Sequence, residues 1–301
     1  MKIALVRKTA TRPYHEFFMS GWESVNDVDI HVGMEYLSEI DGQYDLCIVH
    51  PGGFHPDTDL VIPRKSSKTK FVFVNEEDMH HPFDWIRSIA LHYDHLFMFS
   101  DRYTAMLRAE GVQNTTQILP MADSRFFRKL WVPKTFDVSF LGQQDDVIKI
   151  GGGTRKEYLT QIDSNKNLKS FIGRGFYADA ANQIYCQSKI CLDIPICDVV
   201  GPRSVQIGAS GSMLILPKDP ARNSLWYKCF NPGEDYIEFD GIDSLSETLE
   251  YWLSHDEERE KIARNMHQKI HGHTPGTGHT FQNRLNRIIL KSINGVDIGW
   301  N

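Results

Sequence analysis

The chain has 301 residues, of which 41% are hydrophobic and 24% charged, with a formal net charge of −6. This is ordinary globular composition, long enough for one large domain or two of about 150 residues, and its acidic balance argues against a general nucleic-acid coat. The apolar run before Arg7 and Lys8 is too short for a signal-peptide core or a membrane span. The five cysteines (Cys47, Cys186, Cys191, Cys197 and Cys229) form no CxxC pair, which fits free thiols in a reducing cytoplasm.

Short apolar runs rich in β-branched and aromatic residues recur at 2–6, 28–32, 44–49, 70–74, 95–99 and 116–119, with helical stretches at 82–92 and 102–110. Strands alternating with helices predict βαβ units and a parallel sheet, so residues 1–130 read as one Rossmann-like domain. Lys129 to Thr135 breaks the pattern with a proline and polar residues, and the boundary is placed there. The alternation restarts with a strand at 136–141, a helix from Arg155, a strand at 171–172, a helix at 178–188, a strand at 190–194, then a helix and a strand at 213–216. Residues 131–280 therefore read as a second Rossmann-like domain. Ser244 with Glu247, and Ser254 with Glu257, match capping boxes that start two consecutive helices. Leu245, Leu249, Trp252 and Leu253 on one, and Ile262, Met266 and Ile270 on the other, make apolar stripes of core type. A last amphipathic stretch opens the tail 281–301, a helix that can pack on either domain, including back on the first.

Two glycine-containing segments carry the local chemistry. Gly142 and Gln143 leave the strand at 136–141, and Gly151 to Gly153 lead into Thr154, Arg155, Lys156 and Glu157 at a helix start, where Thr154 and Glu157 match a capping box. Glycines let backbone approach a ligand, and helix N-termini offer amides and partial positive charge to a phosphate. Cations in a first turn oppose the helix dipole unless an anion or solvent screens them. A flexible glycine turn with solvated charges would carry the same residues, and neither a Walker A loop nor a clean GxGxxG is present. The second segment, Gly201 to Gly211, starts a helix with Pro202 and puts Arg203 in its first turn and Gln206 one turn later. A short buried helix with a snorkelling arginine is the alternative there.

These segments in this order resemble the C-terminal domain of GT-B glycosyltransferases, most closely the CgeB-type (spore maturation protein-like) family. The resemblance rests on Glu77-Asp78, Tyr93 to Phe97, Ser100-Asp101, Leu119 to Asp123 and Phe127 on the N-terminal side. On the C-terminal side it rests on Asp137 to Gly142, Ser188 to Ile194, Arg203 with Gln206 and Gly211, and Phe230 to Glu234. It implies two Rossmann-like α/β domains facing a cleft, and metal-independent transfer from a nucleoside-diphosphate sugar, UDP-linked, with no other cofactor. It also implies that the glycine loop and the arginines bind the donor diphosphate. At the place where the family commonly has a ribose-binding glutamate stands Gln206, an uncharged amide that both donates and accepts.

A transferase must also deprotonate its acceptor, and in open α/β sheets the place to look is the carboxyl ends of the strands. Asp78 is the leading base because it matches the family's acidic pair, followed by His80 and Glu77; the alternative for these acids is a solvated loop capping the next helix. The loop opened by His50 and the one holding Arg7, Arg12 and His15 also qualify. Asp27 and Asp29 resemble a metal-binding Asp-x-Asp but read as turn chemistry, and His271, His273 and His279 lie among loop residues, so no metal site is assigned. Among acceptors, a cell-surface or spore glycan or protein ranks first, then a small metabolite, then a modified DNA base. The competing functions are a catalytically silent nucleotide-sugar-binding protein and a sugar-nucleotide epimerase of the same architecture.

Overall fold

The structure, a computed structural model, describes residues 1–7, 20–50, 63, 68–75, 83–144, 149–150, 152–195, 200–218, 224–272 and 277–296. The chain divides into two compact units, Met1–Pro120 with Phe281–Gly299, and Met121–Thr280.

Unit 1 is built on six parallel strands: β1 (Ile3–Arg7), β2 (Val28–Val32), β3 (Leu46–His50), β4 (Lys70–Asn75), β5 (His95–Met98) and β6 (Thr115–Gln117), in the order β2-β1-β3-β4-β5-β6. β1 and β3 are buried along their whole length, so their sequences are continuous apolar runs without polar alternation, as a sheet covered on both faces requires. Helices α1 (Leu37–Ile40), α2 (Phe83–Ala90) and α3 (Asp101–Ala109) follow strands, and Trp85, Ile86, Ile89 and Leu107 join the sheet side chains in one core. Ser100 caps α3 by accepting from the Tyr103 amide. At the other end of the chain, α10 (Phe281–Asn294) returns to this unit: Phe281 packs edge-on against Trp22 in the 3-10 turn Ser20–Ser24, and buried Arg284 donates to the Leu119 carbonyl. Asp27 takes a left-handed conformation (φ 63°) ahead of β2, while Asp29 accepts from the Tyr44 hydroxyl at 3.0 Å. That is turn and packing chemistry.

Unit 2 contains β7 (Phe136–Leu141), the short antiparallel pair β8 (Lys149–Ile150) and β9 (Gly153–Thr154), α4 (Arg155–Ser164), β10 (Ser170–Gly173), α5 (Ala178–Gln187), β11 (Ser188–Leu192), α6 (Pro202–Ala209), β12 (Met213–Pro217), α7 (Ser224–Cys229), β13 (Ile237–Phe239), α8 (Gly241–Ser254) and α9 (Asp256–His271). Its parallel sheet runs β10-β7-β11-β12-β13. In both units the second strand lies outside the first and the third on its other side. The direction of winding therefore reverses between β1 and β3 and again between β7 and β11, and such switch points are where open α/β sheets bind ligands, beyond the carboxyl ends of the strands.

Three details differ from the sequence expectation. The units divide after Pro120 rather than after Leu130, because residues 121–130 pack with unit 2: the Ala122 amide donates to the His279 carbonyl, the Arg128 backbone exchanges hydrogen bonds with the Asn182 amide, and the Leu130 amide reaches Cys186 Sγ. Neither Ser244 nor Ser254 caps a helix. α8 starts earlier, at Gly241, and the Ser244 hydroxyl donates back to the Gly241 carbonyl, while Ser254 closes α8 by donating to Glu250 and Tyr251 carbonyls. Both helices nonetheless turn the expected stripes inward: Leu245, Leu249, Ile262, Met266 and Ile270 are buried, and Trp252 and Leu253 are partly buried against the same core. α7 and β13 have no counterpart in the sequence reading, being short and partly polar.

Candidate functional site

At the switch point of unit 2, β7 ends in Leu141 and Gly142, and β11 is followed by Asp193 and Ile194. Pro202 starts α6 without an amide hydrogen; Gly201 at the cap supplies no side-chain hydrogen bond, and the first turn holds no acid. This leaves an uncapped positive helix end. From that turn Arg203 donates to Asp193 Oδ1 at 2.5 Å, and the next residue, Ser204, donates its hydroxyl to Asp193 Oδ2 at 2.6 Å. Asp193 is buried while the arginine side chain keeps 21% of its surface in contact with solvent. A carboxylate accepting two charge-assisted bonds fixes a guanidinium more firmly than solvent would.

Gly142 makes room for that arrangement. Its φ is 152°, and a Cβ there would stand 2.2 Å from Arg203 Nη2. Only a residue without a side chain lets the guanidinium lie over the strand end. Arg155, at the first position of α4, turns inward: it donates to the Ile194 carbonyl at 3.0 Å through Nε and to the Gln143 carbonyl at 3.1 Å through Nη1, tying the two strand-end loops together. Both guanidiniums lie against the Phe140 ring, Arg203 at 4.7 Å and Arg155 at 5.6 Å from its centroid. Of these three ionised groups two are positive and one negative. Gln206 is buried one turn beyond Arg203, and its side-chain amide has no hydrogen-bond partner among the described residues.

The structure thus brings Gly142, Gln143, Arg155 and Arg203 to one place, with Gln206 on the helix that carries Arg203. Thr154 and Lys156 serve elsewhere. Thr154 and Glu157 form a reciprocal capping box, the Thr154 amide donating to the carboxylate at 2.6 Å and the Glu157 amide to the hydroxyl at 3.2 Å. Glu157 therefore already places a negative charge at the start of α4. Lys156 lies away from Arg155, in a groove of about 510 Å³ lined by Glu157, Thr160, Gln161, Ile242 and Asp243. Sequence reasoning left Asp193, Ser204 and Phe140 without roles. Asp193 sits in a motif already singled out, and its place directly after an apolar strand was the available signal.

Asp78, Glu77 and His80 lie outside the described residues, as do Arg12, His15, Gly151 and His273. His50, at the carboxyl end of β3 and beside Arg7 in the sheet register, accepts at Nδ1 from the Trp22 indole N–H at 2.7 Å. In the neutral ring that bond leaves the hydrogen on Nε2, so His50 offers a donor there rather than a base. Arg7 pairs with Glu23 at 3.5 Å. His271 bonds the Ala209 carbonyl and His279 packs at a tilt of 39° against Phe230, so the two are separately engaged.

A sequence profile of the family described as "Glycosyl transferase-like" matches residues 136–289. No curated protein matches in sequence. Among solved structures, HepE (Alr3699) of Anabaena in complex with UDP is similar at a TM-score of 0.65 with 10% identity, over 98% of this chain and 100% of that one. HepE has also been solved with UDP-glucose. Sucrose-phosphate synthase (tll1590) from Thermosynechococcus elongatus is similar at 0.56 with 11% identity over 88% of this chain and 93% of that chain. A putative UDP-N-acetylglucosamine 2-epimerase from Listeria monocytogenes is similar at 0.55 with 10% identity, over 99% and 98%.

Proposed function

The chain belongs to the glycosyl transferase-like family, and from that premise we propose that it moves a hexosyl group from a UDP-linked sugar to an acceptor hydroxyl or amine without a metal ion, as a CgeB-type enzyme working in the cytoplasm. The observation that carries the reading is the cluster at the unit 2 switch point: two guanidiniums against the Phe140 ring, one of them paired with buried Asp193, at the uncapped start of α6. Such a site suits a diphosphate, whose negative charge grows as the glycosidic C–O bond breaks. Arg203 is the group that reaches solvent and takes the diphosphate. Arg155 holds the two loops in place, and Gln206 offers its amide to a sugar or ribose hydroxyl. As the acceptor oxygen or nitrogen bonds to the anomeric carbon, its proton passes to a base in unit 1, with Asp78 first, then His80 and Glu77. The acceptor ranked first is a glycan or protein, ahead of a small metabolite and a DNA base. Among the described residues no helix is long and apolar enough to cross a membrane.

The test is turnover of labelled UDP-sugars against a panel of glycan, protein and small-molecule acceptors, with and without EDTA. UDP release coupled to a mass-shifted acceptor, unchanged by the chelator, is the expected result. Because the likeness to a putative epimerase extends over nearly the whole chain, a donor-only arm is included. Conversion of the donor sugar there would replace transfer with epimerisation, and binding without any turnover would make the protein a nucleotide-sugar-binding one.

A further inference from the structure

We propose that residues 128–134 of unit 2 form a docking site for an anionic phospholipid surface, with the Trp131 ring settling among the headgroups and Arg128 and Lys129 meeting their phosphates. Tryptophan is highly buried on average. Trp22 and Trp226 are fully buried here, Trp85 nearly so, and Trp252 packs partly buried against a core, whereas Trp131 is 90% exposed. Among the described residues its ring meets only the Lys129 ammonium, 4.8 Å from the centroid, and its indole N–H makes no hydrogen bond.

The backbone is fastened on both sides of that ring. Before it, the Arg128 backbone exchanges hydrogen bonds with the Asn182 side chain, and the Leu130 amide reaches Cys186 Sγ at 3.4 Å. After it, Pro133 restricts the chain, and Lys134 turns inward, its Nζ donating to the Ser188 carbonyl at 2.8 Å and the Ser212 hydroxyl at 3.4 Å. The Lys129 stem lies over Gly211, whose φ is 70° and where a Cβ would stand 3.2 Å from Lys129 Cδ. A fixed segment thus holds a large ring out in water, a position that marks a surface for something else to cover.

Charge selects the occupant. Residues 124–135 contain Arg125, Arg128, Lys129 and Lys134 and no acid, in a chain of net charge −6. Arg125 is committed to buried Asp123, so Arg128 and Lys129 are the cations beside the ring. Lys129 also acts electrostatically on His267 of α9, and exposed Arg264 stands one turn before that histidine. The acids nearby are Asp179, 3.9 Å from Arg128, and Glu260, which acts on Lys134; the cations outnumber them. An indole with a free N–H flanked by cations suits the boundary of an anionic bilayer, where the ring sits at headgroup depth and the cations near the phosphates. One ring and a few charges give weak, reversible attachment. Lys134, Ser188 and Ser212 mark the amino ends of β7, β11 and β12, the end of the sheet opposite the Arg203 cluster. Docking and donor binding are therefore separable.

The full chain is sedimented with vesicles of phosphatidylcholine alone and of equal parts phosphatidylcholine and phosphatidylglycerol, comparing wild type, Trp131→Ala and Lys129→Gln, with thermal melts and UDP titration alongside. Wild type is expected to bind the mixed vesicles and to leave them in high salt. Trp131→Ala should weaken that binding about tenfold, the scale of one large side chain leaving an apolar environment. Lys129→Gln should weaken it about fivefold, the scale of one cation at an anionic surface. Melting temperature and UDP affinity should stay as in wild type for both variants. Wild type that ignores the mixed vesicles, or Trp131→Ala that binds them equally well, overturns the site. A dimer of the free chain that Trp131→Ala abolishes would assign the ring to a second copy and overturn the lipid reading too. Loss of UDP binding by the wild type would remove the donor site and leave the docking result standing.

Discussion

At Gly142 a single missing side chain decides how the charges of unit 2 meet. An alanine there would need φ near 152° and would drive its Cβ to within 2.2 Å of Arg203 Nη2, so the guanidinium would have to leave Asp193 or the strand end would have to move. Gly142→Ala is expected to lower stability by about 1 kcal/mol or more. It should weaken UDP binding by roughly tenfold through the misplaced charge-assisted contacts, the scale of one such hydrogen bond. Calorimetric titration with a parallel denaturant melt measures both. Unchanged affinity would separate Gly142 from the site. The sequence showed Gly142 as a glycine leaving a strand and Arg203 as a cation in a helix's first turn, because those types have recognisable roles there. Their contact joins residues 61 positions apart in the chain and was not visible. Nor was the inward turn of Arg155, since a first-turn cation in sequence looks the same whether it faces a ligand or a neighbouring carbonyl.

At the scale of elements, α6 is held by α9, which packs so closely that a Cβ on Gly208 would lie 2.5 Å from Ile270 and 2.7 Å from Met266. On the same face of α9, His267 and His271 both bond the Ala209 carbonyl at the end of α6, at 2.9 and 3.1 Å, with ring centroids 4.4 Å apart. Burial, then the neighbouring His271, lowers the His267 pKa from its ordinary 6.5, against the raising effect of the Ala209 and Gly208 backbone. A histidine with a depressed folded pKa binds protons more readily when unfolded. The stability it contributes is thus present above about pH 6.5 and is lost on acidification from there toward the lowered folded value. Melting temperature followed from pH 7.5 to 5 should fall more steeply in the native chain than in His267→Gln. Equal slopes would remove the histidine from the pH response. Apolar periodicity made α8, α9 and α10 readable, and Phe281 was the right start for α10, whereas the starts of α8 and α9 were misplaced. Serine three residues before glutamate also occurs inside helices, where the hydroxyl returns to a carbonyl instead of capping an amide.

For the molecule as a whole, the chain leaves unit 1 after Pro120 and returns to it at Phe281. The return helix buries Phe281, Leu285 and Ile288, each worth about 1.5–3 kcal/mol, and Phe281 sits on Gly21 and against Trp22, the donor to His50. Ending the chain after Thr280 is expected to destabilise unit 1 while leaving unit 2 folded. Limited proteolysis read by mass spectrometry should show cuts within the first 120 residues before any in 121–280. A truncated chain whose unit 1 resists protease like the full one would contradict this. The sequence alone determined the two α/β halves, their parallel sheets and most strands, because continuous apolar runs alternating with amphipathic stretches have few other ways to be buried. It also pointed to Gly142 and Arg203. Only the tertiary structure decided that α10 belongs to unit 1, that the units part after Pro120, and that Asp193 is the partner of Arg203, because each depends on contacts between residues far apart in the chain, which local pattern does not encode.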